Sequence, residues 1–322
     1  MSFNFEKNSN HSSNGNQNKD EGTVHLNNEN LKLLKEDVLY HLALGTATHD
    51  LKTMFGDVKY VCMGGTTNRM KNFAEFITKE LQFNFPVGTQ LLDLCEKGNR
   101  FAMYKVGPVL SVSHGMGMPS LSILLHEMAK LMHYAKCIDP VFIRIGTSGG
   151  IGVPPGTVVV TSNPVNGFLK NEHEFIILGE RVIRPAILDY NLSQSLIACS
   201  DKHDNFEVIA GKTMATDDFY EGQGRTDGAV CWHNEEQKFK FLKRAYNIGV
   251  RNIEMESTVF GALTHSTGIR AADVCVTIID RLEGDQVTTT KEDKNQFELR
   301  PQTIVGRYIK KDIERLGLLK QK

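Results

Sequence analysis

The sequence predicts an α/β protein with a single domain, and three observations support this. The chain has 322 residues, which suffices for one large α/β domain or two small ones. Apolar residues make up 40% of it, so a substantial core can form. Short apolar runs alternate with stretches of helical periodicity, without an apparent internal repeat. Such alternation is typical of helices packed around one mostly central sheet.

The strand predictions rest on short, β-branched or apolar runs bounded by glycine, proline or polar residues. The predicted strands are 58–62, 101–106, 109–114, 141–145, 156–161, 252–255 and 272–279. The helix predictions rest on apolar residues that recur at helical spacing, as in Leu121, Leu124, Leu125, Met128 and Leu131. The predicted helices are 70–81, 119–136, 235–248, 258–266 and 307–318.

Two polar segments are predicted to lie outside these elements. Residues 1–22 are rich in Asn, Ser and charge and lack the apolar core of a secretion signal, so we predict a disordered tail before a domain of residues 23–322. Residues 283–302 are polar and unpatterned, which predicts a solvated surface loop, with a lid over a site as the alternative.

Charge and cysteine usage exclude several classes of protein. The formal net charge is -1, which gives no electrostatic footprint for nucleic acid or an anionic membrane. No stretch approaches the ~20 apolar residues of a membrane span. The six cysteines are scattered without a CxxC pair, which favours a reducing, cytoplasmic location and disfavours a disulfide framework or a zinc site.

The stretch RIGTSGGIG (144–152) predicts a glycine-rich loop after a buried strand. No lysine follows as in a Walker loop, and Pro154-Pro155 forbids the helix that a dinucleotide fingerprint opens. Arg144 and Gly146 share one face of an extended strand, and Thr147 adds a hydroxyl. We interpret the loop as a cradle for free phosphate. The alternative is a tight turn with Arg144 in an internal salt bridge.

A second loop, MGGTTNR (63–69), follows a strand and precedes a helix. Thr67 or Asn68 is a candidate cap for that helix, whose N-terminus favours anions, and Arg69 adds a full charge beside it. The alternative is an ordinary capped helix with an exposed arginine. Two glycine loops that each carry an arginine favour an anion site.

The stretch FYEGQGR (219–225) suggests recognition of a pyrimidine base. In an extended chain, Gln223 and Arg225 point the same way, and together they match the edge of uracil. Gln223 accepts from the ring N–H and donates to one carbonyl, and Arg225 donates to the other. Phe219 is placed to stack on the ring. The alternative is a polar loop with glycine-driven turns.

The stretch NIEMES (252–257) places two acids beside a methionine on a predicted strand. Buried carboxylates need partners, and the vicinal hydroxyls of a ribose are suitable ones. The alternative is a structural ion pair with Arg251 or another arginine.

Taken together, the chain resembles eukaryotic uridine phosphorylases, within the nucleoside phosphorylase family. The motifs DVLYHLALGT, FGDVKYVCMGG with Arg69, HGMGMPS, IRIGTSGGIG, DFYEGQGR, IEMES and IIDR occur in this order from Asp37 to the last helix. Each motif is weak alone, and all seven in order are highly specific. The resemblance implies a mixed sheet that forms a partial barrel surrounded by helices. It also implies a homodimer, no metal or organic cofactor, and inorganic phosphate as co-substrate.

The resemblance also assigns site residues, each at a matching position. It implies phosphate binding by Gly65, Arg69, Arg144 and Thr147, and by Arg100 from the neighbouring subunit. It implies ribose binding by Met255, Glu256 and, across the interface, His41. It implies uracil binding by Phe219, Gln223, Arg225, Ile278, Ile279 and Arg281, with Ser148 and Gly149 lining the pocket. Arg225, Arg144 and Arg69 are the candidate catalytic residues.

The function implied is reversible phosphorolysis of uridine to uracil and ribose 1-phosphate, with weaker use of deoxyuridine or thymidine. Two rivals remain: a purine phosphorylase or nucleosidase of the same fold, and a non-catalytic nucleoside-binding protein. Asp280 is ambiguous, because an acid near this position protonates purines in related enzymes. We interpret His114 as structural rather than catalytic.

Overall fold

The computed structural model describes residues 24–318, so the predicted tail at 1–22 lies outside the described residues. The described part contains twelve strands and seven α-helices. The strands are β1 (Val38–Leu39), β2 (Leu44–Gly45), β3 (Tyr60–Gly64), β4 (Met103–Val106), β5 (Val109–Ser113), β6 (Val141–Gly150), β7 (Val158–Val165), β8 (Glu172–Ile177), β9 (Glu180–Pro185), β10 (Val208–Ala215), β11 (Val250–Glu254) and β12 (Arg270–Asp280). The helices are α1 (Leu51–Phe55), α2 (Thr67–Glu80), α3 (Gly117–Tyr134), α4 (Tyr190–Ile197), α5 (Glu235–Asn247), α6 (Ser257–Ser266) and α7 (Lys291–Leu316).

The central sheet has eight strands in the order β11-β10-β7-β12-β6-β3-β5-β4. Its first five strands close into a barrel, because β11 also pairs antiparallel with the end of β6 through Ile253 and Gly149. Strands β3, β5 and β4 continue the sheet away from the barrel. Both parallel and antiparallel pairs occur. The predicted α/β fold, with a mixed sheet that is partly a barrel, is confirmed.

Helices cover the sheet on both sides and enclose separate parts of the core. Apolar side chains of α1, α3 and α6 form one buried cluster, and those of α2, α4 and α7 form another. The α3 positions predicted from helical spacing are all buried, from Leu121 to Leu131. The rigid framework therefore rests on the apolar periodicity that the sequence shows.

The glycine-rich stretch 144–152 is mostly strand, so the prediction of a loop after residue 145 is wrong. Strand β6 continues to Gly150, and φ turns positive only at Gly152. The glycines serve close packing: a Cβ on Gly146 would lie 2.8 Å from Arg144 Nη1, and one on Gly150 would lie 2.8 Å from the Val153 carbonyl oxygen. Small residues let β6 bend from β3 toward β11.

The prediction of a loop across 283–302 is also wrong in its second half. Helix α7 begins at Lys291, and the side chain of its N-cap, Thr290, accepts a hydrogen bond from the Asp293 amide at 3.0 Å. The polar composition concealed this helix. The sequence also does not predict the elements β1, β2, α1, α4, β8, β9 and β10.

Among residues 24–318, no helix has both the length and the apolar character needed to cross a bilayer.

Candidate active site

A cavity of about 260 Å³ lies at the end of the barrel and collects most of the predicted site residues. The predicted residues that line it are Gly65, Arg69, Arg144, Thr147, Ser148, Gly149, Phe219, Gln223, Arg225, Met255, Glu256, Ile278, Ile279 and Arg281. They come from segments far apart in the chain, which the tertiary fold brings together. A larger cavity of about 600 Å³, between residues 26–31 and helices α3 and α6, contains none of them.

Arg144 forms the centre of one end of the cavity. It is 3% exposed, and its register partner across the parallel β6–β12 pair is Asp273. Its Nη1 donates to Asp273 Oδ1 at 2.9 Å, and its Nη2 contacts Glu254 Oε2 at 2.9 Å and also Glu256 Oε2. The predicted internal salt bridge of Arg144 therefore exists. Because Arg144 also lines the cavity, it remains compatible with binding an anion.

Two of the carboxyl groups around Arg144, those of Glu254 and Glu256, have pKa values shifted in opposite directions. Burial, together with the nearby Glu256 and Asp273, raises the pKa of Glu254. Burial opposes the charge of Glu256 as well, but Arg144 outweighs it and lowers the pKa of that carboxyl. Glu256 is therefore the stronger acid of the adjacent pair, and it lies on the cavity wall. The structural ion pair foreseen for the two acids is formed with Arg144, whereas Arg251 lies over the Tyr246 ring, 4.1 Å from its centroid.

Arg69 lies in the first turn of α2, close to Arg144. The helix is capped by Thr66, not by Thr67 or Asn68 as predicted, and the Thr66 side chain accepts from the Arg69 amide. Arg69 Nη2 donates to Glu298 Oε1 at 3.0 Å. Glu298 does not line the cavity, so it holds the arginine from behind. No local sequence pattern predicts this contact, because Glu298 lies within the segment interpreted as a solvated loop.

His114 completes this end of the cavity, as a neutral group. Burial and the charge of Arg144 lower the pKa of His114 to about 3. Neither ring nitrogen has a hydrogen-bond partner among residues 24–318. His114 is therefore uncharged at neutral pH, and its interpretation as structural rather than catalytic stays a prediction.

At the other end, a tight turn places Gln223 and Arg225 side by side. The backbone is not extended here as assumed: Glu221–Gln223 is a single 3-10 turn, and Gly224 follows at φ +67°. Gln223 is 4% exposed, yet its side-chain amide makes no hydrogen bond within the described part of the chain. A buried, unengaged amide on a cavity wall is available to a ligand.

Arg225 is held on two sides and keeps one nitrogen free. Its Nε and Nη2 donate to the Asp227 carboxylate at 3.0 and 2.8 Å, and its guanidinium lies over the Phe219 ring, 4.5 Å from the ring centroid. Its Nη1 has no partner among the hydrogen bonds of residues 24–318, so this nitrogen can face a ligand.

Asp285 is the support behind this turn, and the sequence did not reveal it. It accepts from Arg281 Nε at 3.1 Å, from Lys238 Nζ at 2.9 Å and from the Thr226 amide at 2.9 Å. Although burial opposes the charge, the Thr226 amide and Lys238 lower the pKa of Asp285 to about 2. Arg281 in turn donates to the Gln223 carbonyl at 3.0 Å, so it supports the turn that carries Gln223 in addition to lining the cavity.

A bulge explains why consecutive isoleucines both reach the cavity. Side chains in a regular strand alternate between faces, but the β6–β12 register shifts between Thr277 and Asp280. Ile278 and Ile279 consequently both line the cavity. Asp280 does not line it, and its carboxylate accepts from the amides of Gly152 and Leu282, each at 3.0 Å. It is a structural group in this arrangement, which removes the hint of purine chemistry.

Two predicted residues lie outside the cavity. His41 bonds through Nδ1 to Glu127 Oε1 at 2.6 Å, and Arg100 is exposed. Neither contributes to the cavity of its own chain. In contrast, Val287 and Lys294 line it although the sequence did not suggest them.

Comparison with known proteins agrees with this geometry. Residues 59–310 match the family model described as the phosphorylase superfamily. "Uridine phosphorylase 2" of Homo sapiens is 52% identical over 295 residues, which cover 92% of this chain and 92% of that protein. The chain belongs to the uridine phosphorylase family.

Solved structures of this family superpose closely on the chain. The crystal structure of uridine phosphorylase from Schistosoma mansoni in complex with thymidine matches with a TM-score of 0.86 and 43% identity, over 90% of this chain and 99% of that one. The family also contains "Inactive uridine phosphorylase B" of the same organism, which is 41% identical over 286 residues, 88% of this chain and 95% of that protein. Catalysis by members of this family therefore depends on the residues of the site.

Proposed function

We propose that the chain catalyses the reversible phosphorolysis of uridine to uracil and ribose 1-phosphate, with weaker use of deoxyuridine or thymidine. The observation that carries this proposal is that the two ends of the cavity present different chemical groups. One end holds Arg69 and Arg144, and the other holds the unengaged amide of Gln223 and the free Nη1 of Arg225. The carboxylate of Glu256 lies on the wall of the same cavity.

Phosphate binds at the arginine end and acts as the nucleophile. Arg69 and Arg144 hold its oxygens, with Thr147 and the backbone beside Gly65. A Cβ atom at position 65 would lie only 3.2 Å from the Gly115 carbonyl oxygen. Glycine at this position therefore leaves space for phosphate to approach the backbone. Positioning an anion that is already nucleophilic requires no general base, because the protein needs only to desolvate and orient it.

Uridine spans the rest of the cavity. Glu256 accepts hydrogen bonds from the ribose hydroxyls, and Met255 contacts the apolar face of the sugar. As the bond from C1′ to N1 lengthens, the ribose becomes cation-like and negative charge develops on uracil. Gln223 and Arg225 Nη1 stabilise that charge where it forms. Phosphate attacks the opposite face of C1′, which gives ribose 1-phosphate with inversion.

Electrostatics support a site completed by a second copy of the chain. Arg144 and Arg69 are both already paired with carboxylates, so these two arginines offer phosphate little net positive charge. Lys294 lines the cavity and has no carboxylate within 4.0 Å in the described residues. Arg100 and His41, which lie away from their own cavity, supply the missing phosphate and ribose contacts in a homodimer.

Two further features accompany the proposal. The reaction needs inorganic phosphate and no organic cofactor, since charge stabilisation and positioning suffice. We place the enzyme in the cytoplasm, because all six cysteines are free thiols and five of them are buried.

The deciding experiment measures release of uracil from uridine with and without phosphate. We expect release only with phosphate, together with ribose 1-phosphate, and little release of hypoxanthine from inosine. Release in water alone would identify a nucleosidase, and preference for inosine a purine enzyme. Binding of uridine without release of uracil would identify a non-catalytic protein. Sedimentation of the full chain tests the dimer.

A further inference from the structure

A cluster of chemically reactive side chains lies at the turn that carries Gln223. Glu221, Cys231 and His233 place one carboxylate oxygen, one Sγ and one ring nitrogen within 4.8 Å of one another. None of the three residues lines the cavity. Phosphorolysis as derived above uses none of them.

The donor set suits a thiophilic divalent cation. Thiolate, imidazole and carboxylate are the three ligand types that bind Zn²⁺, at about 2.0–2.3 Å from the metal. In a tetrahedral centre with such bonds, the donor atoms lie about 3.5 Å from one another. Shifts of about 1 Å in these half-buried side chains would bring their donor atoms from the present separations to that distance. A thiolate and a carboxylate together balance the charge of the cation.

Two independent observations point to a ligand rather than to chance proximity. First, the Nε2 atom of His233 is buried and has no hydrogen-bond partner among the described residues, which is costly for a polar atom unless something binds it. Second, the carboxylate of Glu221 is already oriented, because its Oε1 accepts from the Trp232 amide at 2.7 Å. This hydrogen bond leaves Oε2 of Glu221 available to a metal and fixes the orientation of the carboxylate.

We propose that Glu221, Cys231 and His233 form a three-ligand site for a divalent cation of the zinc class, with water as the fourth ligand. The Cys231 thiol, which now donates to the His233 carbonyl at 3.1 Å, releases its proton to solvent when the metal binds. Glu221 is the first residue of the turn that carries Gln223, so the cation ties this turn to residues 231–233. The proposal is independent of which nucleoside the cavity accepts.

The test is equilibrium dialysis of the untagged full-length chain against Zn²⁺, followed by elemental analysis. We expect one zinc per chain for the wild type, and a loss of at least tenfold in affinity for His233→Gln and Cys231→Ser. His203→Gln is the matched control, since His203 is an exposed histidine outside the cluster. It should bind like the wild type.

Cobalt provides a second readout that reports the ligand itself. Co²⁺ bound by a thiolate gives a sulfur-to-metal charge-transfer band in the near ultraviolet, and Cys231→Ser should abolish it. Equal zinc binding by wild type and His233→Gln would overturn the proposal, as would a wild type that retains no zinc after dialysis. Circular dichroism of each variant confirms that it is folded, so that a loss of binding is assigned to the ligand.

Discussion

Arg144→Ala should cost the protein about 3–5 kcal/mol of unfolding free energy, because it leaves buried carboxyl groups without their cation. Glu254, Glu256 and Asp273 surround this guanidinium, with side chains 2%, 7% and 0% exposed. A typical domain has about 5–15 kcal/mol of stability in total, so the loss is a large part of it. Protonation of the stranded carboxyls relieves their charge, so the loss should shrink toward low pH.

Urea unfolding followed by circular dichroism measures this loss, with Arg315→Ala as the matched control. Arg315 also pairs with an aspartate, Asp312, but its side chain is 69% exposed, and a surface pair contributes about 0–1 kcal/mol. Arg144→Lys keeps the positive charge but lacks the planar guanidinium, so its loss of unfolding free energy should lie between those of Arg144→Ala and Arg315→Ala. If Arg144→Ala unfolded at the same urea concentration as Arg315→Ala, the account of the buried cluster would be refuted. Because of this stability cost, Arg144→Lys is the variant with which to measure phosphate KM.

Three further outcomes follow from the same contacts. Arg225→Ala should lower kcat for uridine about 10²–10³-fold with little change in phosphate KM. Asp227→Asn only loosens Arg225 and should lower kcat far less. A raised phosphate KM at unchanged kcat in Arg225→Ala would contradict the stabilisation of uracil by Arg225. Glu298→Gln should raise phosphate KM about fivefold, equivalent to ~1 kcal/mol, without changing uridine KM, because the substitution weakens the hydrogen bond that holds Arg69 in place. Tighter phosphate binding would mean that Glu298 instead competes with phosphate for Arg69. His114 has a folded pKa of about 3 against 6.5 for the ordinary group, so the unfolded chain binds more protons between these values and stability falls as pH drops below 6.5. The unfolding free energy of the wild type should therefore lose about 2 kcal/mol relative to His114→Gln between pH 8 and pH 5, and a constant difference would show that His114 is not buried as a neutral group.

The turn that carries Gln223 and Arg225 shows how far local sequence determines a site. FYEGQGR supplies the chemical groups that match uracil, and the structure places them on one cavity. The expected backbone was wrong, since a 3-10 turn and a left-handed Gly224 achieve the arrangement that an extended chain was assumed to give. Residue types determine which ligand groups can be bound, whereas several backbone conformations can bring the same side chains to the cavity.

The supporting residues illustrate what local sequence does not contain. Glu298 holds Arg69 across 229 positions, and Asp285 reaches Thr226 across 59. An acid in a polar stretch has the same local pattern whether it is solvated or paired, so no periodicity distinguishes the two. The cysteine spacing likewise disfavoured a zinc site, yet the fold brings Glu221 to Cys231 and His233.

By itself, the sequence determined the α/β class, the apolar faces of the main helices and the chemical groups of the cavity, because these depend on residue type and on short-range periodicity. Only the tertiary structure decided that β6 runs as a strand through its glycines, that Arg144 is enclosed by three carboxyl groups, and that α7 supports Arg69. Each of these depends on contacts between segments far apart in the chain, which the pairing of β6 with β11 and β12 and the packing of α7 beside α2 bring within bonding distance.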